Sequence, residues 1–320
     1  MTPSLLVTSG QRSELDEQVF VPTEWFDDIV LNEAKFCREI RKVDPREAVL
    51  NIAAGYKSGY NVINPYLKQY PDAKILEIGA GYGFSLCYLR KLGFNAEGIE
   101  PGNSFGFEGV YDRAIALLEA NGISEARQIL HPNTGEALPF EKDSFDIVYS
   151  IAVLEHVKDI KKCLEEAFRV VRPGGVICMT VPNYNSFYEG HYDILWLPYL
   201  LKSKRIAKWY VRTLFGRRDW FIDELHFTTP EYFRKLAAEM AQPAKMHLCL
   251  EMNTSVPIVS RIFRRAAETH CFFQTQVVPG RMRFKHQLLA RISRFVSSVG
   301  ELLGMAVTYR LVWKLPTARK

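Results

Sequence analysis

Between residues 74 and 181 the chain alternates two hydrophobic rhythms. Short unbroken apolar runs give way to stretches in which apolar positions recur every three or four residues. The first rhythm fits buried strands and the second fits helices lying on them. KILEI (74–78) predicts a strand, 84–92 a helix, NAEGIE (95–100) a strand and 110–121 a helix. ARQIL (126–130) reads as a short strand and FDIVYS (145–150) as a longer one. Residues 160–171 then predict a helix and GVICMTV (175–181) a strand. Strands alternating with helices predict βαβ units and a doubly wound, mostly parallel sheet.

After Pro182 the rhythm stops. Residues 183–227 are aromatic and basic, without strand alternation. TTPEYFRKLAAEM (228–240) opens a helix well, with Thr229 to cap it, Pro230 in its first turn and Glu231 at the positive dipole end. MHLCLEM (246–252) predicts a strand. Basic amphipathic helices are expected near 256–268 and 285–303. AVTYRLVWKL (306–315) alternates with period two, so it predicts a strand rather than a membrane-lying helix.

ILEIGAGYG (75–83) places Gly79, Gly81 and Gly83 directly after the first strand. A glycine turn there lets backbone approach a ligand at the carboxyl edge of a parallel sheet. The spacing is GxGxG. The dinucleotide fingerprint is GxGxxG, so a nicotinamide dehydrogenase is disfavoured. Glu100, 21 residues beyond Gly79, ends the second strand, where a carboxylate can hold both hydroxyls of a ribose.

Composition narrows the class. The chain has 320 residues, 48% hydrophobic and 24% charged, enough for a sizeable core. No apolar run approaches the roughly 20 residues that span a bilayer, and no secretory signal opens the chain. The six cysteines are scattered without a CxxC pair, which points to a reduced cytoplasmic protein and to neither zinc nor disulfides. Charge is split. Residues 1–200 hold 19 Lys+Arg against 28 Asp+Glu, whereas 201–320 hold 22 against 8. The basic last third suits an anionic membrane surface or a phosphorylated acceptor. Nucleic acid is not expected, because the basic residues are mixed with large aliphatics.

Further along come EALPFEKDSFDIVYS (136–150), LEHV (154–157), RVVRPGG (169–175) and a PN pair at Pro182 and Asn183. With the glycine turn, these blocks make residues 75–183 resemble the class I S-adenosylmethionine-dependent methyltransferases. The resemblance implies a Rossmann-like, seven-stranded, mostly parallel sheet whose last strand is antiparallel, with a helical insertion after strand five. It implies S-adenosylmethionine as cofactor, contacted by Glu77, Gly79, Ala80, Gly81 and Gly83 at its amino-acid end. Glu100 would hold the ribose, Pro101 would pass near the adenine, and Ser150 and Ile151 would close over the methionyl part. The family often has an acid five residues before the LPF proline to bind the adenine amino group. Thr134 stands there in this chain, so Thr134, Glu136 or a backbone carbonyl takes that role.

The expected organisation is an N-terminal helical segment (1–70), the cofactor-binding core (71–182), an aromatic and basic acceptor lid (183–227) and a C-terminal part that completes the sheet (228–320). Histidine suits a general base for a hydroxyl acceptor. His156 in LEHV and His191 in YEGHYDILW both follow strands at the ligand edge and are the catalytic candidates. His226, with Asp223 and Glu224, more often caps and solvates a helix, and no metal is assigned. The leading expectation is O-methylation of a saccharide or lipid-linked surface-glycan intermediate, in the cytoplasm or at the inner face of the membrane. Loose likeness of residues 183–320 to bacterial surface-glycan family members supports it. The alternatives are a quinone or secondary-metabolite methyltransferase, and a non-catalytic protein of the same fold that binds a membrane or a partner.

Overall fold

The computed structural model describes residues 19–102, 108–186, 188–198, 200–240, 246–250 (backbone only) and 308–317. Three helices come first: α1 (Thr23–Phe36), which runs into a π-helical turn (Cys37–Arg41), α2 (Pro45–Ala54) and α3 (Ser58–Leu67). β1 (Lys74–Ile78), α4 (Phe84–Lys91), β2 (Asn95–Ile99), α5 (Val110–Ala120), α6 (Ala126–Ile129) and β3 (Leu130–His131) follow. Then come β4 (Phe145–Ile151), α7 (Ile160–Val170) and β5 (Val171–Pro182). The insertion holds a small hairpin, β6 (Tyr188–Glu189) with β7 (Ile194–Leu195), then α8 (Lys204–Phe215) and a 3-10 turn (Trp220–Glu224). α9 (Pro230–Glu239), β8 (Met246–Leu250) and β9 (Thr308–Lys314) complete the described elements.

Seven strands form one sheet in the order β3-β2-β1-β4-β5-β9-β8. β1 to β5 are parallel to one another, and β9 runs antiparallel to both β5 and β8. The doubly wound sheet with an antiparallel last strand is therefore as the sequence predicts. Side chains alternate across it. Ile75, Ile147, Tyr149, Val176 and Cys178 face a layer that includes Trp25, Ile29, Val62, Leu86 and Leu118 from α1 and α3 to α5. Leu76, Ile78, Val148, Ile177, Met179 and Trp313 face Leu164 and Ala167 of α7 and Phe233 and Leu236 of α9. That two-sided burial is why these strands read as unbroken apolar runs.

Three local readings change. ARQIL is a helical turn, with only Leu130 and its neighbour His131 in the sheet. Alanine, arginine and glutamine favour a helix, and β2 offers pairing to just two residues. β5 starts at Val171 rather than 175. Pairing jumps from Phe145–Val171 to Ile147–Val176, so the RPGG turn bulges out and Gly174 takes φ +80°. The insertion is not strandless, because Tyr188 pairs with Leu195 and Glu189 with Ile194. The expected helices at 256–268 and 285–303 lie outside the described residues.

The insertion has its own core of Tyr192, Trp196, Tyr210, Val211 and Phe221, closed by Phe36 and Ile40 at the end of α1. Arg217 fastens it. Its buried guanidinium donates to the carbonyls of Ile40 (2.7 Å), Arg41 (2.9 Å) and Tyr192. Bonds from a charged donor are the stronger kind. Arg217→Ala leaves those carbonyls without their donor and is expected to destabilise the protein by about 2–4 kcal/mol, read as a fall in melting temperature, with the far-UV spectrum unchanged at low temperature.

Candidate functional site

The glycine turn is held before any ligand arrives. The amides of Gly79 and Ala80 both donate to the Ile99 carbonyl, at 3.0 and 2.9 Å, tying the end of β1 to the end of β2. Gly79, Gly81 and Gly83 take φ of +74°, +54° and +81°, which disfavours a side chain at each. Their surroundings differ. A Cβ on Gly79 would lie 2.5 Å from Val153, and one on Gly83 would lie 3.2 Å from Ala114 of α5. A Cβ on Gly81 would meet nothing within 4 Å, so this glycine opens onto space.

Glu100 stands across that space with its carboxylate fixed by the turn. The Gly81 amide donates to Oε2 at 2.9 Å and the Gly102 amide to Oε1 at 3.3 Å. Burial raises its pKa, opposed by those two amides. Each oxygen keeps a lone pair for another donor.

These groups line a cavity of about 750 Å³ at the carboxyl edge of the sheet. Gly79, Gly81, Glu100, Pro101, Thr134, Glu136, Ile151 and His156 line it. Four predicted contacts stand back from its surface. Ser150 is fully buried with Oγ on the Met179 sulfur at 2.9 Å, and Ala80 and Gly83 serve the turn and helix packing. Glu77 is buried beneath the turn, and burial pushes its carboxyl up to about 8, with Glu100 adding to the rise. Glu136 accepts from the amides of Lys158 (2.7 Å) and Asp159 (3.3 Å), so it pins two loops together.

Sequence reasoning missed Glu33 and set Glu224 aside as a helix-capping group, and both also line the cavity. Glu33 is buried on α1 and accepts from the Tyr82 hydroxyl at 2.7 Å, itself held by Asn32 at 3.0 Å. Burial raises its pKa. The signal was an acid on the apolar stripe of Trp25, Phe26, Ile29 and Phe36.

At the far end the two candidate histidines meet. Nε2 of His191 lies 3.2 Å from Nε2 of His156, although 35 residues separate them. Nδ1 of His191 contacts Glu189 Oε1 at 2.7 Å. Glu189 also accepts from the Tyr184 hydroxyl (3.1 Å) and the Tyr192 amide (2.7 Å). Burial opposes charge on His191, but the Glu189 carboxylate outweighs it and raises the pKa, while the same pairing lowers that of Glu189. His156 is held well below the usual histidine range by burial and by His191. Glu155 is completely buried beside both rings and is pushed up to about 7 by burial. His226 is a strut: its amide donates to the Glu155 carbonyl at 2.7 Å and its ring contacts the Val157 carbonyl at 2.8 Å. Asp223 is taken by Lys208.

Residues 76–179 match the methyltransferase domain family, a match consistent with a class I S-adenosylmethionine-dependent methyltransferase domain. A methyltransferase of Mycobacteroides abscessus is 28% identical over 144 residues, 43% of this chain and 50% of that protein. The ubiquinone biosynthesis O-methyltransferase of Bartonella tribocorum is 25% identical over 201 residues, 60% of this chain and 74% of that protein. A solved phosphoethanolamine N-methyltransferase of Haemonchus contortus superposes with TM-score 0.49 at 14% identity, over 92% of this chain and 59% of that one. This chain covers only 40–50% of the length of the first curated relatives it matches. Among the described residues no helix is long and apolar enough to cross a membrane.

Glu77 gives the ligand-free protein a pH signature. Its folded pKa is raised, so its contribution is fully present below about pH 4.5 and is lost as pH rises through about 8. Melting temperatures from pH 5 to pH 9 should fall less steeply in Glu77→Gln than in the wild type. Equal slopes would remove Glu77 as the source.

Proposed function

We propose that this chain is an S-adenosylmethionine-dependent methyltransferase that methylates a hydroxyl of a saccharide or lipid-linked glycan intermediate. The observation that carries the reading is the Glu100 carboxylate, clamped by the Gly81 and Gly102 amides in the wall of a cavity that His156 also lines. The vacant space over Gly81 suits a close-lying cofactor backbone, and the buried acids suit a cation. When bound, S-adenosylmethionine supplies a methyl group on a positively charged sulfur.

In this reading Glu100 binds the ribose hydroxyls. Glu33, Glu77 and the turn amides surround the amino-acid end, and Ile151 closes over it, with Ala80, Gly83 and Ser150 supporting from behind. Thr134 is the adenine-side group, because Glu136 is already used by two loop amides. Ile78, Ile99, Val153 and Val157 make that wall apolar and exclude water. A drier site favours a transfer in which the sulfur's charge is neutralised, and fixed geometry supplies much of the rate. His156 and His191 form the polar end that receives the acceptor hydroxyl.

The acceptor class rests on the insertion, read as a lid over residues 71–182. It exposes Leu200, Ile206, Trp209 and Leu214 beside Lys202, Arg205 and Arg212. An apolar face rimmed by cations suits an amphiphile carrying an anionic group at a membrane surface. The Bartonella relative's name supports a second reading, O-methylation of a quinone.

Calorimetry with S-adenosylmethionine tests the core reading. Glu100→Ala should lose on the order of 2–4 kcal/mol of binding. Gly81→Val should abolish binding in a protein that still melts cooperatively; retained micromolar affinity would refute the cofactor placement. Flotation tests the acceptor side. Wild type should float with anionic vesicles at low salt, and Ile206→Ser combined with Trp209→Ser should not, with cofactor binding kept. No flotation of the wild type would favour the quinone reading.

A further inference from the structure

His156 and His191 turn their Nε2 atoms towards each other, and Glu155 Oε1 completes a triangle. The edges are 3.2 Å between the imidazoles, 3.8 Å from His156 to Glu155 and 4.0 Å from His191 to Glu155. The point equidistant from these atoms lies about 2.1 Å from each, the length of a zinc–nitrogen bond. We propose that Glu155, His156 and His191 bind a divalent transition-metal ion, zinc by preference, at the acceptor end of the cavity. This deepens the methyltransferase reading and rests on it for the ion's task. It departs from the expectations of no metal and of a histidine base.

Further observations point the same way. Neither Glu155 oxygen takes a hydrogen bond from another residue, although Glu155 is completely buried. A buried carboxylate left so is costly unless a cation faces it. Glu189 supplies the outer support such sites use. It fixes Nδ1 of His191, is itself held by Tyr184 and Tyr192, and so leaves Nε2 to donate its lone pair. Two imidazoles with one carboxylate suit zinc, and three protein ligands leave a position open to the cavity that His156 lines.

The ion would act as a Lewis acid on the acceptor. Its field lowers the pKa of an approaching hydroxyl, whose proton leaves to water. The oxygen pair then forms the new bond to the methyl carbon, and the electrons of the breaking carbon–sulfur bond remain on sulfur. No oxidant or reductant is involved.

Cobalt(II) chloride is the probe, titrated into untagged, EDTA-treated protein and followed by visible absorption. One Co²⁺ per chain should bind with intense tetrahedral-type bands, and zinc chloride should displace it. The bands should vanish in Glu155→Gln and in His191→Gln. Glu189→Gln leaves the three ligands in place and should weaken binding roughly 10–100-fold. Far-UV melting checks that the variants fold. The wild-type result needs no variant: absence of binding, or bands unchanged in both ligand variants, overturns the site. Calorimetry with S-adenosylmethionine on the same protein separates the two readings. Cofactor binding without Co²⁺ binding removes the metal and leaves the methyltransferase. Co²⁺ binding without cofactor binding keeps the site and removes the methyltransferase.

Discussion

One carbonyl organises the ligand edge. Ile99 accepts from both Gly79 and Ala80, so the first strand cannot turn away from the second without losing two bonds. That staple presents the Gly81 amide to Glu100, and Glu100 in turn takes the Gly102 amide. The two ligand-edge loops thus share a single carboxylate. The geometry requires left-handed backbone at three alternate positions, and there glycine avoids a cost of roughly 1–2 kcal/mol per residue.

Among the described residues five buried carboxylates lie around this edge: Glu33, Glu77, Glu100, Glu155 and Glu189. Burial opposes charge on every one of them. Amides or hydroxyls hold Glu33, Glu100 and Glu189, while Glu77 has only the Tyr149 hydroxyl beside it and Glu155 takes no hydrogen bond from another residue. A fold that needed only stability would place apolar groups at those two positions. Their cost is offset if cations arrive near them, as the amino-acid end of the proposed cofactor near Glu77 and the proposed metal ion beside Glu155 would supply.

The core was legible because its signals are local. Strands buried on both faces read as apolar runs, and the glycine turn announces itself by spacing. What escaped was set by tertiary contact. ARQIL has too little neighbouring strand to pair with, so its helical preference wins. The aromatics of 183–227 look alike in sequence, yet Tyr192 and Trp196 are buried, whereas Trp209 is half exposed on the outer side of α8. Glu33 could be found only as a polar break in an apolar stripe, since no motif surrounds it. Glu136, one of the substitutes weighed for the adenine-binding acid, lines the cavity, but its carboxylate answers to loop amides that no pattern reveals.

The histidines show the same limit most sharply. In the sequence His156 and His191 are separate candidates on separate loops, each weighed alone as a base. In the fold they are one object. His156 Nδ1 is shut off from solvent, and its Nε2 faces His191. His191 faces Glu189 on its other side, and Glu189 rests on Tyr184 and Tyr192 of the insertion. The polar end of the cavity therefore depends on how the insertion is seated, which Arg217 controls through Tyr192 and the end of α1. Residues sharing such a network do not contribute independently. Removing either imidazole also removes the partner that orients the other. A single-histidine variant thus reports on the whole assembly, and assigning the chemistry to one ring would misread it.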